Sequence, residues 1–202
     1  MFFRQVKQRG DNFSYIIADE VTKGAAVVDP SFNTDAITRL LRDQCFVLKY
    51  IIDTHSHGDH TAGNDYLKSS CGGKIVAHKS VKINKDVGVD GGDVLMVGKI
   101  AINVIYTPGQ TRDSICLLVD GKLLTGDTLF VGECGRTDLP GGSSEDMYHS
   151  LFHKLMKLDD NVEVYPGHDY GPRPHSTIGL EKKTNYTLEK RTLEEFIEFM
   201  RS

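Results

Sequence analysis

The chain has 202 residues, of which 39% are hydrophobic and 26% are charged, and this is enough for one domain with a sizeable core. Its 24 Lys and Arg residues against 28 Asp and Glu residues give a formal net charge of −4, which argues against a nucleic-acid-binding surface. No apolar run approaches the roughly 18 residues that a membrane span needs. We therefore expect a single domain over residues 1–202 that binds neither nucleic acid nor membrane.

The cysteines indicate a reducing compartment. The chain contains four of them, Cys45, Cys71, Cys116 and Cys134, without a C-x-x-C pair. A chain of this length does not need disulfides to hold its core together. We therefore expect free thiols and a cytoplasmic protein.

The first half of the chain alternates between strand and helix patterns. Apolar strands are predicted over 12–17, 24–30, 46–52 and 75–77, and helices over 34–44 and 59–67. Residues 81–92 contain Gly, Asp and Lys and are predicted to form a loop.

The second half returns to strands before it ends in helices. Strands are predicted over 94–97, 100–106, 114–119, 122–125 and 162–165, and helices over 144–157, 176–183 and 192–200. Two blocks of strands, each followed by helices, predict two sheets packed face to face with helices on the outside.

A cluster of metal-type ligands follows the predicted strand 46–52. Residues 54–60 read THSHGDH and place three imidazoles and a carboxylate within six residues. In an extended segment His55 and His57 point the same way, while Asp59 and His60 turn into the next helix and face a neighbouring point. Imidazole and carboxylate suit Zn(II), Fe(II) or Mn(II), and such sites lower the pKa of a bound water. We expect the remaining ligands at later strand ends, where Asp127 and His168 each follow a glycine.

These motifs carry a family resemblance. THSHGDH at 54–60, TPGQT at 107–111, GDTLF at 126–130 and PGHDYG at 166–171 resemble, in order and spacing, the motifs of the metallo-β-lactamase superfamily. The resemblance implies an α+β fold, the αβ/βα four-layer sandwich, in which two mixed sheets are flanked by helices and hold metal at one edge. It implies a first metal site of His55, His57 and Asp127. It implies a second of Asp59, His60, Asp127 and His168, with Asp127 bridging.

Gln110 departs from the family pattern, which has histidine at this position. Its amide oxygen is a weaker metal donor than imidazole, and it could instead hydrogen-bond to a metal-bound water. We expect metal binding to persist with a lower affinity at the first site. A natural variant, an engineered inactivating substitution and a protein that has moved away from catalysis all remain open.

Two branches of the family share the next motifs. Residues 132–142, GECGRTDLPGG, and residues 176–185 resemble both glyoxalase II-like hydrolases and persulfide dioxygenases. The first branch implies a thioester hydrolase, acting on a compound such as hydroxyacylglutathione, in which a metal-bound hydroxide attacks the carbonyl and Asp59 orients it and can take its proton. The second implies a dioxygenase that acts on glutathione persulfide and holds one iron through His55, residue 110 and Asp127.

Because Gln110 falls on that iron triad, the sequence favours the hydrolase. A persulfide dioxygenase and a catalytically impaired metal-binding member are the alternatives. We expect one or two divalent metal ions, zinc first and iron or manganese otherwise, and a small-molecule substrate. The oligomeric state is left open.

A few further residues are candidates. Arg136 could pair with a substrate carboxylate or form a surface salt bridge, and Tyr170 could line the pocket or pack at a strand end. Cys134 is interpreted as a structural thiol rather than a nucleophile. His149 and His153 lie one helical turn apart, and a solvated or core-facing pair is favoured over a metal pair.

Overall fold

The computed structural model describes residues 1–201, which contain twelve strands and six α-helices. The strands are β1 (Phe2–Lys7), β2 (Phe13–Ala18), β3 (Gly24–Val28), β4 (Val47–Ile52), β5 (Lys74–His78), β6 (Val87–Val89), β7 (Val94–Val97), β8 (Ile100–Tyr106), β9 (Ile115–Val119), β10 (Lys122–Gly126), β11 (Glu163–Pro166) and β12 (Ser176–Thr177). The helices are α1 (Thr34–Asp43), α2 (Gly58–Thr61), α3 (Asn64–Cys71), α4 (Ser144–His153), α5 (Ile178–Thr184) and α6 (Leu193–Phe199).

The strands of this described part form two mixed six-stranded sheets. The first has the order β1-β2-β3-β4-β5-β6, antiparallel from β1 to β3 and parallel from β3 to β6. The second has the order β12-β11-β10-β9-β8-β7, in which only β10 and β11 run parallel. The prediction of two mixed sheets is therefore confirmed.

Three apolar clusters divide the molecule into four layers. The first lies between the sheets and joins residues such as Ile17 and Ile52 of one sheet to Val104 and Leu124 of the other. The second packs the outer face of the first sheet against α1 and α3, and the third packs the second sheet against α4, α5 and α6. Because both faces are covered, central strands such as β2 are buried at every residue. This is the predicted αβ/βα sandwich flanked by helices.

Side-chain caps begin several of the outer helices. Asn33 caps α1 by accepting a hydrogen bond from the Ala36 N–H, and α1 buries Ile37 and Leu41 against the sheet. Thr192 and Glu195 form a capping box at the start of α6. None of the helices within residues 1–201 combines the length and apolarity of a membrane span.

The structure corrects several predicted elements. Strands β1, β6 and β12 were not predicted, and β6 lies inside the predicted loop 81–92. The predicted helix 59–67 is two short helices that are separated by Ala62 and Gly63. Gly63 packs closely on α1, since a Cβ there would lie 2.6 Å from Thr34 Cγ2. The predicted helix 144–157 ends at His153 and is followed by a 3-10 turn. In the predicted helix 176–183, Ser176 pairs with β11 and Thr177 caps α5.

Candidate metal centre

The predicted ligands lie at one edge of the sandwich because three strands end there. The segment after β4 carries His55 and His57, and α2 carries Asp59 and His60. Strands β10 and β11 run parallel and end side by side, with the Gly167 N–H donating to the Gly126 carbonyl at 2.8 Å. The residues that follow them, Asp127 and His168, therefore enter the site together.

The first ligand cluster consists of His55, His57 and Asp127. Their ligand atoms all lie within 4.8 Å of one another. His55 Nε2 lies 3.1 Å from His57 Nδ1 and 3.7 Å from Asp127 Oδ2. Two imidazoles and a carboxylate thus converge on one point.

The second cluster consists of Asp59, His60 and His168, also within 4.8 Å of one another. The two imidazole Nε2 atoms lie 3.1 Å apart, and each lies 3.5 Å from Asp59 Oδ2. Asp127 reaches this cluster as well, with Oδ1 at 3.4 Å from His60 Nε2 and Oδ2 at 3.4 Å from His168 Nε2. One carboxylate therefore contacts ligands of both clusters, which is the arrangement that a bridging role requires.

The donor set fits a divalent transition metal. Two buried oxygen atoms in it, Gln110 Oε1 and Asp127 Oδ1, have no hydrogen-bond partner among the described residues. Buried polar atoms are normally paired, and a cation held by the ligand clusters would pair with Asp127 Oδ1. A small residue also borders the ligands, since a Cβ on Gly167 would lie 2.4 Å from Asp127 Oδ1 and 2.9 Å from His60 Cε1. The residues present would hold one or two ions through imidazole nitrogen and carboxylate oxygen.

A second layer of side chains orients the ligands. Asp29 Oδ2 lies 3.1 Å from His60 Nδ1, and its carboxylate accepts hydrogen bonds from the backbone N–H and the hydroxyl of Thr54 at 2.8 and 2.7 Å. Asp11 Oδ1 lies 3.2 Å from His168 Nδ1, and Asn12 Nδ2 donates to Asp59 Oδ2 at 2.8 Å. Such partners fix the orientation of metal ligands.

Sequence reasoning missed all three of these supporting residues. Asp29 directly follows strand β3, and its place after an apolar strand is the local signal in the sequence. In the structure it adopts a positive φ of 47°. Asp11 and Asn12 lie in the turn between β1 and β2, and β1 itself was not predicted. Backbone hydrogen bonds from Phe13 to Gly167 and from Asp169 to Asp11 bring this turn to the site.

Burial and mutual charge set the protonation of the ligands. Burial lowers the pKa of His55 to about 4, so this imidazole is neutral and can donate a lone pair near neutral pH. Burial raises the pKa of Asp127. The facing imidazoles of His55, His168 and His60 lower it by a larger amount, so the pKa lies well below its ordinary value. For His60, burial lowers the pKa and the carboxylates of Asp29 and Asp127 raise it more, so binding of a metal there releases a proton.

Gln110 lies inside the first cluster, where the family pattern has histidine. The residue is buried, and its Nε2 donates to Asp127 Oδ2 at 2.8 Å. The loop between β8 and β9 places it there. Whether its oxygen ligates a metal stays a prediction.

The two predicted substrate contacts differ in their surroundings. The Tyr170 ring stacks on the His168 ring, with centroids 4.7 Å apart and planes 6° apart, and the residue is 53% exposed at the site. Arg136 is exposed and makes a two-pronged ion pair with Asp138, with both contacts at 2.6 Å. A role in substrate binding stays a prediction for both.

The remaining candidates lie apart from the ligands. Burial raises the pKa of the Cys134 thiol to about 11, and its sulfur contacts Met200, which agrees with a structural thiol. The Nδ1 atoms of His149 and His153 lie 3.0 Å apart on the exposed face of α4. Among residues 1–201, no third metal-type ligand joins this pair.

This combination of fold and ligands defines a candidate centre for a divalent metal, and the sequence profile of the metallo-β-lactamase superfamily matches residues 8–85 and 81–168. The chain belongs to this superfamily of metal-dependent enzymes.

Individual relatives fall into two activity classes. The chain is 33% identical over 198 residues to the probable polyketide biosynthesis zinc-dependent hydrolase BaeB of Bacillus velezensis, covering 95% of this chain and 88% of that protein. It is 30% identical over 194 residues to the mitochondrial persulfide dioxygenase ETHE1 of Homo sapiens, covering 93% of this chain and 75% of that protein. The crystal structure of ETHE1 from Myxococcus xanthus superposes with a TM-score of 0.96 at 34% identity, over 100% of this chain and 91% of that one.

Proposed function

We propose that the chain is a metal-dependent hydrolase of the glyoxalase II-like kind, which cleaves a thioester such as a hydroxyacylglutathione. The observation that carries the proposal is the complete second cluster, in which Asp59, His60 and His168 converge with Asp127 although Gln110 alters the first cluster. The similarity to a zinc-dependent hydrolase supports it.

The chemistry of the proposal divides between the metal and the chain. Activation of water and polarisation of a carbonyl oxygen are what a divalent metal supplies when bound at such a site. The Asp59 side chain is 39% exposed, whereas that of Asp127 is buried, so Asp59 is the ligand carboxylate that substrate and water can reach. Asn12 fixes one oxygen of Asp59, which aims the carboxylate to accept the proton of the attacking water.

Hydrolysis assays on metal-defined protein test the proposal. The metal-free chain is reconstituted separately with zinc, iron and manganese, and cleavage of hydroxyacylglutathione and simpler thioesters is followed by release of the thiol. We expect turnover that disappears in His168→Gln, which breaks the second cluster, and that survives in His149→Gln, which lies apart from it. Full metal occupancy at the second cluster without turnover of any thioester would refute the proposal.

A persulfide dioxygenase is the second candidate, and one observation favours it. The first cluster brings together two histidines and one carboxylate, His55, His57 and Asp127, with ligand atoms within 4.8 Å of one another. This is the ligand set of non-haem iron oxygenases. The similarity to ETHE1 supports it as well. Against it, the family pattern has a histidine at residue 110 as one of the iron ligands. In this chain the residue is a glutamine, which donates a hydrogen bond to Asp127.

Oxygen consumption separates the two candidates. The iron-loaded chain is mixed with glutathione persulfide, and oxygen uptake is compared with that of Gln110→His. Uptake by the unaltered chain, without thioester turnover, would replace the hydrolase by the dioxygenase. Metal binding without either activity, in both forms, would support the catalytically impaired member.

We also propose a cytoplasmic location, which the four free thiols support.

A further inference from the structure

A cavity of about 330 Å³ lies beside the metal ligand His57. Its lining comes from the loops after β4 and β5, from the β8–β9 loop and from the segment before α4, and it includes Ser56, His57, Lys82, Arg112 and Asp113. The cavity therefore offers space for the part of a substrate that extends past His57.

Two cations in this lining have no carboxylate partner. Lys82 and Arg112 are exposed, and within residues 1–201 neither side chain forms an ion pair. The neighbouring Lys79 is paired with Asp90. The one carboxylate of the lining, Asp113, is buried and accepts a hydrogen bond from Ser56 Oγ at 3.2 Å.

The charge of this cavity is opposite to that of the chain. The protein has a net charge of −4, yet two cations and one buried carboxylate line the space beside His57. Unpaired cations in a concave surface attract anions and raise their local concentration. The planar fork of an arginine binds a carboxylate with two parallel hydrogen bonds, and a lysine adds a point charge.

We propose that this cavity binds a carboxylate group of the substrate, with Lys82 and Arg112 as the side chains that recognise it. The inference rests on the proposed thioester hydrolase and names its substrate class, thioesters whose acyl or thiol part carries a carboxylate. Arg136 would have to leave Asp138 to take this role, whereas Lys82 and Arg112 lose no ion pair.

A pair of matched thioesters tests the recognition. They differ only in a terminal carboxylate or carboxamide, and the zinc-loaded chain is assayed with each. We expect the original chain to cleave the carboxylate thioester in preference to the carboxamide. In Arg112→Met and in Lys82→Met, this preference in kcat/KM should fall about tenfold, because the KM for the carboxylate thioester rises. Arg39→Met is the control, since this exposed arginine lies on α1 outside the cavity and should leave the preference intact. Elemental analysis of every variant verifies that the metal content is the same.

A binding measurement separates this inference from the proposed function. A thioether analogue that carries the carboxylate but cannot be cleaved is titrated into the zinc-loaded protein by calorimetry, and we expect about tenfold weaker binding in each variant. If neither thioester is cleaved but the analogue binds through Lys82 and Arg112, the hydrolase fails and the carboxylate site stands. If both thioesters are cleaved equally well by all forms, or if the analogue binds all forms alike or none, the carboxylate site is refuted.

Discussion

The side-chain amide of Gln110 donates a hydrogen bond from Nε2 to Oδ2 of Asp127 over 2.8 Å, and both residues are buried. This bond joins the residue that replaces the family histidine to the carboxylate that contacts both ligand clusters. A metal in the first cluster must compete for that oxygen with the amide. In the second cluster, the Asn12 amide makes a similar bond to Asp59 Oδ2 at 2.8 Å, but it leaves His60 and His168 as the imidazole ligands there.

The first prediction concerns the affinity of the first cluster. In Gln110→His an imidazole replaces the amide, and we expect zinc to bind the first cluster about tenfold more tightly or better, because imidazole is the stronger donor. Calorimetric titration of metal-free protein and elemental analysis measure this. Gln110→Ala serves as the control, since it removes the amide without adding a ligand. Equal affinity in the original and the histidine form would contradict the prediction.

The second prediction concerns the hydrogen bond from Asn12 to Asp59. Asn12→Ala removes the donor that holds Asp59 Oδ2 at 2.8 Å. Loss of such a support lowers metal affinity by about tenfold or more, and we expect this at the second cluster alone. The control Asn103→Ala removes an exposed amide that bonds only to the Leu118 carbonyl. A zinc titration that finds both clusters weakened equally, or neither, would show that Asn12 does not position Asp59.

The third prediction concerns the space at Gly167. An alanine Cβ there would lie 2.4 Å from Asp127 Oδ1, so Gly167→Ala must displace the carboxylate that both clusters share. We expect loss of most metal binding with retention of the fold, as measured by elemental analysis and circular dichroism. Gly58→Ala is the matched control, because Gly58 lies between His57 and Asp59 and a Cβ there meets nothing within 4 Å. Full metal content in Gly167→Ala would be inconsistent with this geometry.

The fourth prediction concerns Asp19, which ties the β2–β3 hairpin to the turn between β7 and β8. The backbone N–H groups of Lys99 and Val21 and the hydroxyl of Thr22 donate to its carboxylate at 2.8, 3.0 and 2.8 Å. These hydrogen bonds lower the pKa of Asp19 to about 2. The folded-state pKa thus lies below the unfolded value of about 3.9, so its stabilising effect is present above about pH 4 and is lost as the pH falls toward 2.

Urea unfolding of metal-free protein measures this effect. We expect Asp19→Asn to be less stable than the original chain at pH 7, and the difference between the two to shrink between about pH 4 and pH 2. The difference isolates Asp19, because the other titrating groups are common to both proteins. A difference in unfolding free energy that stays constant over this range would contradict the prediction.

The central strands and most helices could be predicted because their signals are local. Strands β2, β4, β8 and β10 are rich in apolar residues, with one or two polar residues in each. The strands that were missed, β1, β6 and β12, all lie at the edges of the two sheets. An edge strand has one paired side, and β12 has only two residues, so the neighbouring strand rather than its own pattern decides that it forms. The close packing of Gly63 on Thr34 is likewise a tertiary contact that the local pattern does not show.

The sequence by itself determined the ligand types and their positions near strand ends. His55, His57, Asp59 and His60 are close in the chain, Asp127 directly follows β10, and His168 follows β11 after one glycine. Only the tertiary structure decided how the ligands are grouped and held. The parallel register of β10 and β11 sets Asp127 beside His168, and the turn after β1 brings Asp11 and Asn12 to the second cluster. These contacts join segments more than 40 residues apart, so strand pairing within the second sheet and contact between the sheets, rather than any local preference, place them.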